Sequence, residues 1–182
     1  SQETYIFMGT VAENIAYAND KVYVTQLKGK HSSYWQNEDQ EGAFAVINAT
    51  TMEQEKLINI DLDPYDIVAD DNGIVYISSG SGQHTRLESF DSQSGKLVSS
   101  QSIYEQNRIE MHPSQNRIYR IEMSGSPITM GPYSITNGVL ASEVRSPYHG
   151  TYSVSTDLTL SPDGKYIFNG AGFIFRSSMT AS

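Results

Sequence analysis

The stretch "LTLSPDGKYIFNG", residues 158–170, has the pattern of a β-hairpin. Apolar and polar residues alternate on both sides of "SPDGK", as they do in strands that bury one face. Asp163 and Gly164 are residues that tolerate the left-handed backbone angles of a tight turn. The stretch therefore predicts two short antiparallel strands. Whether the chain repeats this pattern decides the fold.

Three other segments repeat it when they are aligned without gaps. Each begins with an apolar residue, continues through a polar turn and reaches an apolar–aromatic pair. The spacing is 53 residues from Ile15 to Val68, 43 from Val68 to Met111 and 49 from Met111 to Leu160. We therefore predict that these four residues occupy equivalent buried positions on inner strands. The aligned segments are "IAYANDKVYV" (15–24), "VADDNGIVYI" (68–77), "MHPSQNRIYR" (111–120) and "LSPDGKYIFN" (160–169).

The intervals between these hairpins contain a second pair of strands. Asn137–Gly138 is the clearest hairpin signal among them. Four short strands per repeat, here called A to D from the inside outwards, with a period in the forties, indicate a β-propeller blade. The sequence thus predicts an all-β fold of three complete four-stranded antiparallel blades and a partial one. We expect a single domain over residues 1–182, with repeats at about 12–61, 66–102, 108–145 and 156–177.

Two stretches resemble the YVTN family of bacterial β-propellers, which are similar to WD-repeat and NHL propellers. They are "AFAVINATTMEQEKLINIDLDPYDIVADDNGIVYISSG" (43–80) and "LTLSPDGKYIFNG" (158–170). The family's pattern is a strand ending in a V-I-D-type turn, a T-x-K-type hairpin and an S-P-D-G-K-x-x-Y turn. Asn48 stands where the family usually has Asp. The resemblance implies a propeller fold and a bacterial protein, and it implies no particular activity.

Two arrangements of the ring remain open. Residues 4–9, "TYIFMG", have the pattern of a lone strand D, which could complete the last blade and close a four-bladed ring. The alternative is a piece of a larger propeller, since the family that the chain resembles usually builds rings of about 300 residues at this period. We expect the second arrangement. Its open edge strands would favour self-association.

Composition narrows the class of partner. The chain has 182 residues, a formal net charge of −9 and no cysteine. A negative surface repels phosphate backbones, so nucleic acid is not an expected partner. No apolar run approaches the roughly 20 residues that span a bilayer, and we therefore predict no membrane insertion.

The order of strands assigns each loop to a face. The D–A and B–C loops share one face of a propeller, here called the D–A/B–C face, and the A–B and C–D loops share the other. The longest loop, residues 28–42, belongs to the D–A/B–C face, whereas His112 belongs to the opposite face. Aromatic rings and imidazoles are suited to holding a ligand or partner segment. The predicted binding residues are His31, Tyr34, Trp35, Tyr65, His84, Tyr104, Tyr148 and His149.

Catalytic and metal motifs are missing from the sequence. There is no G-x-S-x-G, no Walker loop and no H-E-x-x-H. The acidic run Asp61, Asp63, Asp66, Asp70 and Asp71 lacks the spacing of a calcium loop, and loop solvation with turn capping accounts for it. We therefore predict no catalytic residue, no metal and no cofactor.

Two functions are compatible with these residues. The first is a non-enzymatic binding or scaffolding propeller, bacterial and extracytoplasmic (secreted, periplasmic or at the cell surface), that binds a protein or glycan through the D–A/B–C face. The second is a lactonase-like hydrolase or lyase that uses His and Asp near the central channel, with or without a divalent metal. The missing motifs favour the first, because fold alone does not transfer activity.

Overall fold

A computed structural model describes residues 15–29, 31, 41–104, 106–123, 125–144, 146 and 150–178. These residues form fifteen strands and no helix. The described part of the chain thus has no helix that could cross a membrane. The strands are β1 (Ile15–Ala18), β2 (Lys21–Leu27), β3 (Gly42–Asn48), β4 (Gln54–Ile60), β5 (Pro64–Ala69), β6 (Ile74–Ser79), β7 (His84–Asp91), β8 (Leu97–Tyr104), β9 (Asn107–Met111), β10 (Arg117–Glu122), β11 (Met130–Thr136), β12 (Val139–Leu140), β13 (Leu158–Leu160), β14 (Tyr166–Asn169) and β15 (Ile174–Arg176).

Consecutive strands pair into four antiparallel sheets. β1–β4, β5–β8 and β9–β12 each form a four-stranded sheet in sequence order, and β13–β15 form a three-stranded one. We call these sheets blades 1 to 4. The first strands of successive blades contact one another, β1 with β5, β5 with β9 and β9 with β13. Strand A is therefore the inner strand, and the prediction of three complete blades and a partial one is confirmed.

Blades pack face to face through their alternating apolar residues. Successive side chains of a strand point to opposite faces, so Val75 and Ile77 face blade 1 while Tyr76 faces blade 3. Phe44 and Phe90 meet in the first of these interfaces, with ring centroids 5.9 Å apart. Apolar faces are thus buried between blades 1 and 2 and between blades 2 and 3, and this packing is the main stabilising contribution to the fold.

One aromatic position recurs at the third residue of strand B. Its occupants are Tyr23, Tyr76, Tyr119 and Phe168, with exposed fractions of 1%, 0%, 3% and 40%. The first two are covered by the blade that follows them. Phe168 lies in blade 4, where Tyr166 and Ile174 are exposed as well, at 43% and 63%. The outer face of blade 4 therefore has the apolar pattern of an interface between blades.

The predicted equivalence of the four first-strand residues is only partly correct. Met111 lies opposite Ile118 and Leu160 lies opposite Ile167, so these two positions do correspond. Val68 instead lies opposite Tyr76, on the other face of its blade. Ile15 lies further from its turn, opposite Val24.

Unequal turns cause this difference. The turn between strands A and B of blade 1 is the two-residue Asn19–Asp20, with φ of 50° and 55°, and the other blades have longer turns. A shift of one residue moves a side chain to the opposite face of its strand. An alignment without gaps does not show such a shift. The four residues were also predicted to be buried, but each of them is only partly buried.

Carboxylates connect neighbouring inner strands. Asp66 Oδ2 accepts the backbone N–H of Ile109 at 2.8 Å, which joins blade 2 to blade 3. Glu110 Oε1 accepts the N–H of Leu160 at 2.9 Å and the hydroxyl of Thr159 at 3.1 Å, which joins blade 3 to blade 4. Burial raises the pKa of the Glu110 carboxyl, and the two hydrogen bonds offset part of that rise. The Glu110 side chain therefore stabilises the fold less when it is charged than when it is protonated.

We expect Glu110→Gln to change the pH dependence of stability. A carboxyl whose pKa is raised on folding contributes stability at low pH and loses it as pH rises through the folded-state value. The amide keeps an acceptor for Leu160 without the buried charge. Relative to Glu110→Gln, the unmodified chain should become more stable in urea unfolding as pH falls from 7 to 4. Glu53→Gln, at an exposed turn, is the control. A constant difference across this range would contradict the expectation.

Candidate functional site

A cleft of about 830 Å³ opens between blades 2, 3 and 4. In antiparallel sheets the D–A and B–C loops emerge at the same end, and the cleft lies at this end. One wall comes from the start of β7 and the end of β8, a second from residues 125–130 between β10 and β11, and a third from residues 152–154 and β15. The cleft is thus part of the D–A/B–C face.

Buried charges form the floor of the cleft. Arg120 Nη1 lies 2.7 Å from Glu122 Oε1, and its Nη2 lies 2.6 Å from Glu143 Oε1. Arg120 Nη1 also donates to Asn107 Oδ1 at 3.2 Å and to Thr129 Oγ1 at 3.4 Å. Arg120 and Glu122 are two residues apart on β10, so their side chains share one face of the strand.

Arg120 and Tyr133 keep one protonation state near neutral pH. Burial lowers the pKa of Arg120, but the hydrogen bonds and charges of Glu143 and Glu122 outweigh this effect and raise it above its usual value. Burial, assisted by the charge of Glu143, raises the pKa of Tyr133 to about 12. The floor therefore presents one guanidinium, two carboxylates and a neutral phenol.

One donor of the floor has no acceptor among the described residues. The Nε of Arg120 is buried and makes no hydrogen bond there. An unpaired buried donor costs roughly 1–3 kcal/mol, and interiors built only for stability usually avoid it. The network around Arg120 thus engages its two terminal nitrogens and leaves Nε without a partner among the described residues.

Aromatic rings form the rim. His84 and Tyr104 lie across neighbouring strands with ring centroids 5.1 Å apart. On another wall Tyr152 meets Phe173 and Phe175 edge-on, with ring centroids 5.3 and 5.6 Å apart. His84, Tyr104 and Tyr152 are all exposed. The rim thus offers flat apolar surface above an ionic floor.

A second polar cluster surrounds Asp63. This buried carboxylate accepts the Ser79 hydroxyl at 2.6 Å, accepts the Ser81 hydroxyl and lies 2.6 Å from His31 Nδ1. Gly80 is required beneath the imidazole, because a Cβ there would lie 2.3 Å from His31 Cε1. Ser81 and His31 both contact Asp63, so the carboxylate holds the three side chains together.

No group of three or more His, Cys, Asp or Glu residues in the described ranges is arranged to hold a metal ion. The acidic run has another role, because Asp63, Asp66 and Asp70 are buried rather than solvated. Loop solvation is thus the wrong explanation for these three, whereas turn capping holds for Asp70, whose Oδ1 accepts the N–H groups of Asn72 and Ile74.

The sequence-predicted site residues fall into separate groups. His84 and Tyr104 line the cleft. His31 and Tyr65 do not; their rings are 5.9 Å apart beside Asp63. His112 lies in the A–B turn of blade 3, with its Nε2 2.9 Å from the carbonyl oxygen of Gly164 in blade 4. Outside the described residues lie Tyr34, Trp35, Tyr148 and His149.

Sequence reasoning missed the floor of the cleft. Arg120, Glu122 and Glu143 were not predicted, whereas the strand order does assign Tyr152 of the rim to the D–A/B–C face, although it is not among the predicted binding residues. The available signal was "RIYRIE" (117–122), a strand in which charged Arg120 and Glu122 alternate with buried Tyr119 and Ile121. Charged residues inside a strand are rarely buried unless they are paired.

Comparison with known proteins supports the fold. No protein-family model matches the sequence, and no curated protein matches it. The β-propeller domain of Cps50 (Swd1) from Myceliophteria thermophila is similar at 11% identity and a TM-score of 0.59, over 90% of this chain and 50% of that one. TolB from Acinetobacter baumannii is similar at 14% identity and a TM-score of 0.58, over 86% and 36%.

A chain of the Mitotic Checkpoint Complex is similar at 13% identity and a TM-score of 0.55, over 89% of this chain and 60% of that one. This chain therefore spans 36 to 60% of the length of these three structures. Such identities carry no argument beyond architecture. The chain has the β-propeller fold.

Proposed function

We propose that this chain is a non-enzymatic, protein-binding β-propeller that engages a polypeptide segment through its D–A/B–C face. The observation that carries the proposal is the cleft of about 830 Å³ between three blades. Ligand pockets typically measure roughly 300–1,000 Å³ and combine apolar walls with a few polar groups. The blades would be of the YVTN type that residues 43–80 resemble.

The rim favours a protein partner. Exposed aromatic side chains such as Tyr104 and Tyr152 provide large contact area at small entropic cost, and tyrosine is enriched among the residues that dominate binding energy. The similar solved structures include a chain of an assembly named Mitotic Checkpoint Complex. By analogy of fold, this supports a role in protein interaction.

Selection of random phage-displayed peptides against the chain tests the proposal. Peptides that bind should lose at least about tenfold in affinity with Tyr104→Ala, which corresponds to roughly 1.4 kcal/mol. Tyr104 is 47% exposed, so the substitution should leave folding nearly intact. The matched control is Tyr166→Ala, a tyrosine 43% exposed at the A–B end of blade 4.

Three outcomes would contradict the proposal. No peptide is enriched; or the selected peptides bind Tyr104→Ala as well as the unmodified chain; or Tyr166→Ala abolishes their binding. A glycan array run in parallel covers the other ligand class. Glycan binding that depends on Tyr104, without peptide binding, would replace the protein partner by a carbohydrate.

A further inference from the structure

We propose that the cleft receives a cationic side chain, arginine or lysine, from the bound polypeptide, and that Glu143 is its counter-charge. This inference rests on the proposed function and specifies the chemistry of the segment that enters the cleft. It follows from the charge balance of the floor, the exposure of its two carboxylates and the aromatic rim.

The described residues of the floor carry one formal negative charge in excess. Arg120 faces two carboxylates at 2.6 and 2.7 Å, so one of them is not neutralised within the network. Glu143 is the more accessible of the two, because its side chain is 15% exposed against 6% for Glu122. Glu122 also accepts the N–H of Thr129 through its Oε2, at 3.3 Å. The excess charge is therefore available on Glu143.

The rim suits a cation above this carboxylate. A guanidinium or ammonium group is attracted to the face of an aromatic ring, and arginine stacks on such rings. Tyr104 and Tyr152 belong to different walls of the cleft. The chain's net charge of −9 would also raise the rate at which a basic segment approaches.

An anionic group fits this site poorly. Both terminal nitrogens of Arg120 are already engaged by carboxylates, so an incoming anion would have to displace Glu143 and would meet the excess negative charge. A neutral sugar could stack on the rim, but its binding would not depend on the charge of Glu143. The three ligand classes are thus separable by experiment.

Calorimetric titration of the chain with three short peptides tests the inference. The probes are acetyl-Gly-Arg-Gly-amide, its citrulline analogue and acetyl-Gly-Glu-Gly-amide. Citrulline has the shape of arginine without its charge. We expect the arginine peptide to bind at least about tenfold more tightly than the citrulline peptide and the glutamate peptide to bind most weakly. A higher salt concentration should weaken the binding of the arginine peptide, because its attraction to the cleft is electrostatic.

Two variants of the chain test whether Glu143 causes the preference for arginine over citrulline. Glu143→Gln should bring the affinity of the arginine peptide down to that of the citrulline peptide. Glu53→Gln removes the same charge at the exposed β3–β4 turn and should preserve the tenfold preference. The comparison of the arginine and citrulline peptides uses the unmodified chain. It therefore tests the preference for a cationic side chain even if Glu143→Gln fails to fold.

The failures of the two proposals are distinguishable. Equal affinity for arginine and citrulline peptides, tighter binding of the glutamate peptide, or no binding of the arginine peptide would overturn the cationic assignment. Peptides from the phage selection that still depend on Tyr104 would then leave the proposed function standing. Absence of Tyr104-dependent binding in the phage selection would overturn the proposed function itself.

Discussion

Tyr76→Ala should lower the free energy of unfolding by about 3–5 kcal/mol, whereas Phe168→Ala should lower it by about 1 kcal/mol. Both residues occupy the third position of strand B. Tyr76 is fully buried between blades 2 and 3, and Phe168 is 40% exposed on the outer face of blade 4. Truncation at Tyr76 leaves a cavity in a packed interface, and truncation at Phe168 leaves none.

The hydroxyl of Tyr76 adds to this difference. It donates to Asp70 Oδ2 at 2.9 Å, and burial with the Asp70 charge raises the pKa of the phenol, which therefore stays protonated. Tyr76→Phe should cost about 1–2 kcal/mol, since it leaves a buried carboxylate oxygen without that donor. Urea unfolding of the three variants separates the contribution of the hydroxyl from that of the ring.

A particular outcome would contradict the role given to the outer face of blade 4. If Phe168→Ala costs as much as Tyr76→Ala, the side chain of Phe168 is covered in solution. Analytical ultracentrifugation of the unmodified chain then shows whether a second copy covers it. The exposed Tyr166 and Ile174 lie in the same blade and would be part of that contact.

Turn chemistry explains why the fold was predictable. Asn137 and Gly138 adopt φ of 50° and 80°, and they join Thr136 to Val139 in the expected two-residue hairpin. Gly164 has φ of 70° within "SPDGK". Such local requirements are visible in sequence because few residue types satisfy them. Their regular recurrence indicated four-stranded blades before any contact was known.

Register was less predictable than topology. The gapless alignment placed Val68 at the strand position that Ala69 occupies, because the turn of blade 2 is shorter than those of blades 3 and 4. An inner strand has apolar residues on both faces. Its sequence therefore does not show which residues point to the preceding blade and which to the following one. The hydrophobic pattern therefore specified the strand but not its exact alignment with its neighbours.

The cleft was predictable only at its rim. His84 and Tyr104 flank loops that the strand order assigns to one face, so both were identified from sequence. The pairing of Arg120 with Glu143 joins residues on either side of the β11–β12 hairpin, and Tyr152 reaches the cleft from a segment without regular structure. Contacts of this kind depend on the course of the segments outside the strands, which no local pattern encodes.

Asp63→Ala should lower the free energy of unfolding by about 3–4 kcal/mol, because one buried acceptor serves several donors. The hydroxyls of Ser79 and Ser81 both donate to this carboxylate, and His31 Nδ1 lies 2.6 Å from it. Asp63 is 3% exposed, and Ser79 and Ser81 are 0% and 2% exposed. Water therefore cannot replace the lost acceptor without an opening of the loop that joins β6 to β7.

His31→Ala is the matched comparison, and it should cost only about 1–2 kcal/mol. It removes one partner from Asp63 but leaves both serine donors satisfied, and the His31 side chain is itself 14% exposed. If the two variants unfold at the same urea concentration, the serine contacts contribute nothing and His31 alone stabilises the cluster. If Asp63→Ala costs less than about 1 kcal/mol, the buried carboxylate is not the structural centre of this face. We expect Asp63→Ala to be clearly less stable than His31→Ala. This order would indicate that the cluster holds the B–C loop of blade 2, which leads into the cleft wall at His84.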